Sequence, residues 1–245
     1  MSRKDYLYNE ASFTADNPNS MYFLGYVVTD GVLEKHHVHI DSKDEQIVSD
    51  IRNLVVPEKP LITDKRTGVK RLKISHKPIV DFVRSAGITE RKSHYVALED
   101  WVLQSPNFPH LVRGMFDGDG TIGIARNTNG KSKKNYYRPT MVIRMASEKI
   151  IQQIQEVLVS VYGLSKNNIL IEKTKHGTIM FGLKWQGNLA QRFYDVIYRD
   201  ANIKLDRKYI RYTNILSLDS DSLGKYHGKG KVGMLPLDNP NFKSL

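Results

Sequence analysis

The chain has 245 residues, 40% apolar and 26% charged, enough for one large core or two smaller ones. It has no cysteine, which excludes disulfides, thiolate metal sites and a cysteine nucleophile. Lysine and arginine outnumber acids 37 to 26, and the net charge of +11 favours a polyanionic partner. No run reaches the roughly 18 apolar residues of a membrane span, and MSRKDYLYNE is too polar for a secretory signal, so a soluble intracellular protein is expected.

Residues 1–20 read as an arm. Asn17-Pro18-Asn19-Ser20 then opens the apolar run MYFLGYVVTDG, a capped helix stopped by Asp-Gly at Gly31. A strand pair follows, then a helix from Ser42 (SKDEQIVSDIRNLV), a hairpin from Leu61 to Ser75, and a helix from Pro78 to Ala86. Glu90-Arg91-Lys92 begins a further basic helix. The series then starts again. Ser105-Pro106-Asn107-Phe108-Pro109 opens HLVRGMFDGDG, ending at Gly120, followed by a longer strand pair and a helix from Ser147. A hairpin from Ile169 to Trp185, a helix from Leu189 to Asp200 and the basic start Asp206-Arg207-Lys208 complete the second series.

Each half therefore reads αββαββα, an α+β fold of two pseudo-symmetric repeats spanning roughly 20–216. The expected units are residues 1–105, residues 106–216 and an extended tail at 217–245. The halves differ mainly in the first hairpin, where 11 positions separate Gly31 from Ser42 but 27 separate Gly120 from Ser147.

The cations cluster on the hairpins. Between Lys59 and Lys77 seven basic residues face the single acid Asp64. Between Gly120 and Ser147 there is no acid at all. Both stretches alternate apolar with polar around a turn, the pattern of a ribbon with one solvated, basic face that can lie in a DNA groove. The expected DNA contacts on the first half are Lys35, His37, Lys65, Arg66, Lys70, Arg71 and Lys73. On the second half they are Arg126, Lys131, Lys133, Lys134, Tyr136, Arg138, Arg144, Lys173, Lys175 and Lys184.

The two Asp-Gly helices carry the chemistry. Gly25 and Thr29, and Gly114 and Gly118, lie four apart, so each helix has a stripe of small residues along which two backbones can approach closely. Side-by-side packing would bring Asp30 and Asp119 together at one end. Paired carboxylates repel, and a hard divalent cation resolves the conflict. Mg²⁺, which keeps open positions for water and phosphate oxygens, suits such a site.

Three other patterns carry less. Asp117-Gly118-Asp119-Gly120 starts like an EF-hand, but Ile122 stands where glycine is required and Thr128 where the last glutamate belongs. Gly-Lys-Gly-Lys near residue 230 lacks phosphate-loop spacing. His36, His37 and His39 have the residue type of a metal site, but read as hairpin residues facing DNA or solvent, because no acidic or cysteine partner is evident in the sequence.

Phe23-Leu24-Gly25-Tyr26-Val27-Val28-Thr29-Asp30-Gly31 and Val112-Arg113-Gly114-Met115-Phe116-Asp117-Gly118-Asp119-Gly120 resemble two copies of the LAGLIDADG homing endonuclease signature. With the repeat, the resemblance covers almost the whole chain. It implies a saddle of two antiparallel sheets over the DNA major groove, with a central two-helix interface at Gly25, Thr29, Gly114 and Gly118. It further implies a monomer that cuts both strands of double-stranded DNA at a long, imperfectly palindromic site. Metal would be held by Asp30 and Asp119, with backbone carbonyls from Thr29 and Gly118, and Lys92 and Lys208 would assist catalysis. Mg²⁺ is the expected ion, with Mn²⁺ substituting and Ca²⁺ supporting binding without cleavage. In the first copy Val28 replaces an acid that the second keeps as Asp117. The other reading is a non-catalytic binder of the same fold, an RNA maturase or a DNA-binding regulator. The presence of both acids favours cleavage, and with no protein-splicing segment visible a free-standing or intron-encoded enzyme is expected rather than an intein.

Overall fold

The computed structural model describes residues 6–90, 94–130, 134–219 and 221–223. Lys92, Lys131, Lys133 and most of the expected tail lie outside the described residues. The first half runs α1 (Pro18–Asp30), β1 (Gly31–Glu34), β2 (His37–Ser42), α2 (Glu45–Val55), β3 (Ile62–Thr63), β4 (Lys70–Ile74), α3 (Lys77–Ser85) and α4 (Asp100–Leu103). The second runs α5 (Phe108–Asp119), β5 (Thr121–Thr128), β6 (Asn135–Met145), α6 (Glu148–Ser160), β7 (Leu170–Lys173), β8 (Ile179–Gln186), α7 (Asn188–Tyr198) and α8 (Asp206–Leu216). Each half builds one four-stranded antiparallel sheet, in the matching orders β1-β2-β4-β3 and β5-β6-β8-β7. The αββαββα repeat and the pair of sheets are as the sequence predicts.

Period-two alternation sets one face of each sheet against the helices. Val38 and Ile40 on β2, with Leu72 and Ile74 on β4, are buried. Met141, Ile143 and Met145 on β6, with Leu183 and Trp185 on β8, do the same in the second half. There Trp185 stacks on Phe193 of α7 at 3.7 Å between ring centroids. No helix among the described residues is long and apolar enough to cross a membrane.

The serines expected to open helices act elsewhere. Ser42 is the last residue of β2 and its Oγ accepts from the Asp44 amide, so α2 begins only at Glu45. Ser147 precedes α6, but its hydroxyl donates to the Val96 carbonyl 2.7 Å away. Ser105 donates to the Ala15 carbonyl at 2.9 Å, tying the N-terminal arm to the start of α5. Only Asn17 caps as expected, its Oδ1 accepting from the Asn19 amide at 2.9 Å.

The halves are laced together by backbone-directed glutamines. Gln153 of α6 both donates to the Leu98 carbonyl (2.8 Å) and accepts from the Leu98 amide (2.9 Å). Gln46 of α2 does the reciprocal service for the second half, donating to the Lys204 carbonyl at 3.0 Å and accepting from the Asp206 amide at 3.3 Å.

Candidate active site and nucleic-acid interface

Helices α1 and α5 lie side by side in the same direction, nearly in backbone contact. A Cβ on Gly25 would sit 1.9 Å from the Leu111 carbonyl oxygen, and one on Gly114 would sit 2.1 Å from that of Tyr22. One on Gly118 would lie 2.0 Å from the Thr29 hydroxyl. None of these positions can take a side chain without parting the helices. Every residue of α1 from Ser20 to Val28 is buried, because both halves pack around it.

The helix ends also depend on space. Gly31 and Gly120 have φ of −84° and −64°, extended rather than left-handed. A Cβ there would fall 2.6 Å from the Val27 Cα and 2.3 Å from the Phe116 ring, respectively. The chain thus turns from each aspartate directly into the first strand of its sheet.

Asp30 and Asp119 line one open cleft of about 580 Å³, with Thr29, Val32, His94, Arg144 and Met180 among its walls. Asp30 leans over the second helix, its Cγ 3.5 Å from where a Gly118 Cβ would be. The Tyr26 hydroxyl is pushed up in pKa, first by burial and then by the charge of Asp30.

Lys208 lies behind this cleft. It is buried, and its ammonium donates to the carbonyl oxygens of Phe116 (2.7 Å) and Gly118 (2.9 Å). Burial lowers its pKa from the usual 10.5 to about 8, against the opposing pull of Asp117, Asp30 and Asp119. The side chain expected to be catalytic therefore points inward to the last turn of α5.

Asp117, for which sequence reading found no task, organises the surroundings. It is buried, and its carboxylate accepts from the hydroxyls of Tyr22 (2.9 Å) and Tyr198 (2.5 Å) and from the Leu205 amide (2.9 Å). Burial raises its pKa while these three donors lower it. It thereby joins α1, α7 and the start of α8, three residues before Lys208. Its neighbour Arg113 is fully buried, donating to the carbonyls of Ile203 (2.9 Å) and Ile197 (3.0 Å) and meeting His110 Nδ1 at 2.7 Å. Tyr22, Arg113 and Tyr198 carry no local sequence signal, because their partners are far away in the chain.

The sheet faces turned from the helices collect only part of the expected basic set. The register places His37, Arg71 and Lys73 there on the first sheet, and Tyr136, Arg138, Arg144 and Lys184 on the second. Arg138 covers the Tyr136 ring at 4.7 Å. Lys35, Lys65, Arg66, Lys134 and Lys175 sit at hairpin turns or tips. Lys70 falls on the other side, sharing the parity of buried Leu72 and Ile74, and its ammonium pairs with Glu45 at 3.1 Å. Arg126 shares the parity of Ile122, and Lys173 that of Phe181, so both leave the common face.

Acids are interleaved on that face. Arg71 makes a two-pronged contact with Asp41, and Arg144 one with Glu172 (2.8 and 3.2 Å). Glu34 stands opposite His37 in the register, so the histidine cluster does have an acidic partner, contrary to the sequence reading.

No family model matches the sequence, and the curated proteins offer no significant match. Solved structures do resemble the fold. The LAGLIDADG homing endonuclease I-LtrWI, bound to target DNA, aligns with a TM-score of 0.53 at 12% identity, over 90% of this chain and 95% of its own. The meganuclease I-SmaMI, bound to uncleaveable DNA, aligns at 0.56 and 12% identity, over 91% and 99%. I-SmaMI bound to uncleaved target in the presence of calcium ions aligns at 0.50 and 11%, over 89% and 95%. The chain has the two-repeat fold of the LAGLIDADG homing endonucleases.

Proposed function

We propose that this protein is a divalent-metal-dependent endonuclease that cuts both strands of double-stranded DNA at a long, pseudo-palindromic site, acting as a monomer. One observation carries the reading: two parallel helices held at backbone contact end in Asp30 and Asp119, in a cleft bounded by both sheets. The likeness to nucleases solved on DNA supports the same conclusion.

The donor set fits a hard cation. Asp30 and Asp119, which line one cleft, would supply carboxylate oxygens, and the preceding residues Thr29 and Gly118 would add backbone carbonyls. Mg²⁺, or Mn²⁺ in its place, would supply an activated water and neutralise charge developing on phosphate, whereas Ca²⁺ would support binding alone. A carbonyl oxygen has two lone pairs, so Gly118 can serve an ion while accepting from Lys208. Lys208 is a positioning residue in this account, fixing the carbonyl-bearing turn that presents Asp119. The sheet faces with Arg71, Lys73, Arg138, Arg144 and Lys184 would receive the duplex. Cleavable sites selected from a randomised DNA library in Mg²⁺ would test the proposal. The reading predicts one long site, cut on both strands, and recovery of bound but uncut DNA would support the regulator reading instead.

A further inference from the structure

We propose that Glu34, His37 and His39 form a binding site for a zinc-class divalent ion on the open face of the first sheet, separate from the aspartate cleft. His37 and His39 are two apart on β2, so their imidazoles share a face, and their rings stack at 5.8 Å. Glu34 on β1 is the cross-strand partner of His37. Its two carboxylate oxygens lie 3.3 Å from His37 Nε2 and 4.0 Å from His39 Nδ1.

All three donor atoms fall within 4.8 Å of one another. In a tetrahedral zinc site with bonds of about 2.0–2.1 Å, donors stand about 3.3 Å apart, so small side-chain rotations close the arrangement. The imidazoles are well packed, with side chains 16% and 13% exposed, while the carboxylate is 53% exposed. Two held nitrogens and a more mobile oxygen leave a coordination position toward solvent, the three-ligand pattern of an open zinc site. The frame is pinned from behind, because Arg84 of α3 donates to the carbonyls of Glu34 (3.0 Å) and Lys35 (2.8 Å) at the turn. Imidazole donors select Zn²⁺, Ni²⁺ or Cu²⁺ over Mg²⁺, so the two sites would differ in their ion.

The test is calorimetric titration of the full chain with ZnCl₂ in excess Mg²⁺, alongside NMR of the imidazole resonances. One zinc should bind, perturbing His37 and His39 but not exposed His36. His37→Ala and His39→Ala should each weaken binding at least about tenfold and Glu34→Gln by less, whereas His36→Ala should leave it unchanged. Zinc should still bind the Asp30→Asn/Asp119→Asn variant, which separates this site from the proposed nuclease centre. Equal zinc affinity in wild type and His37→Ala, or loss of zinc in the aspartate variant, would overturn the proposal. Should His39→Ala fail to fold, His37→Ala and Glu34→Gln decide alone.

Discussion

The Lys208 ammonium donates to the Gly118 carbonyl oxygen at 2.9 Å, immediately before Asp119 and across the helix pair from Thr29. It is the only lysine among the described residues that the structure buries. A buried ammonium with a pKa near 8 is held in its charged form at pH 7 at some cost to folding.

Lys208→Met keeps the volume and removes that cost, so it should leave stability at pH 7 unchanged or raise it, by about 1–3 kcal/mol. DNA cleavage should fall, because the last turn of α5 loses its tether. In the wild type, the unfolded chain holds this proton up to the usual 10.5 and the folded chain releases it near 8. Between those values stability should therefore climb with pH, and the slope should vanish in Lys208→Met. Urea denaturation at several pH values measures both effects.

The helix crossing can be tested by size. Gly118→Leu inserts a side chain where the Thr29 hydroxyl already lies 2.0 Å from a first carbon. Overpacking of this kind costs about 1–3 kcal/mol and would move Asp30 away from Asp119. Gly123→Ala, where a Cβ has no neighbour closer than 3.7 Å, is the matched control. A Gly118→Leu protein with wild-type unfolding midpoint and cleavage would contradict the crossing.

This crossing was legible in the sequence because spacing by four reports a helix face directly. The basic surface was less so. Counting cations between Lys59 and Lys77 could not show that Lys70 shares a side with Leu72, nor that Asp41 and Glu172 engage Arg71 and Arg144. Those facts need strand register, which is non-local. Glu34 was within reach, since a two-residue turn at Lys35-His36 sets it opposite His37. Asp117 was not, because Tyr22, Tyr198 and Leu205 come from three separate elements or their flanks.

The acids on the sheet faces proposed to receive DNA give a second prediction about charge. Glu172→Gln frees Arg144 from its two-pronged partner and removes a negative charge, so DNA affinity should rise. Arg144→Gln should lower it. Contacts to about six to ten phosphates would weaken wild-type binding by about 10³–10⁵ between 50 and 200 mM salt. Fluorescence anisotropy on the selected site checks all three. Affinity that ignores salt would rule out a backbone-tracking surface.

His110 supplies an acid-sensitive element. Burial first, and Arg113 second, lower its pKa from 6.5 to about 4. The unfolded chain takes up this proton below 6.5 and the folded one only near 4, so stability is lost as pH falls through that window. Partial exposure of the ring discounts the effect to on the order of 2 kcal/mol. His110→Gln should flatten the loss between pH 6.5 and 4 in thermal melts, and an unchanged slope would assign acid sensitivity to other groups.

Asp30 and Asp119 are proposed to hold the metal on which DNA cleavage depends. Asp30→Asn and Asp119→Asn preserve volume and remove one charge each, so folding should survive and DNA affinity should persist or rise. The most direct measurement follows supercoiled plasmid carrying the selected site, with Mg²⁺, through nicked to linear product. Wild type should linearise it, and should bind without cutting in Ca²⁺. The double Asn variant should do neither nicking nor linearisation while still binding the site. Unchanged linearisation by the double variant would contradict the account.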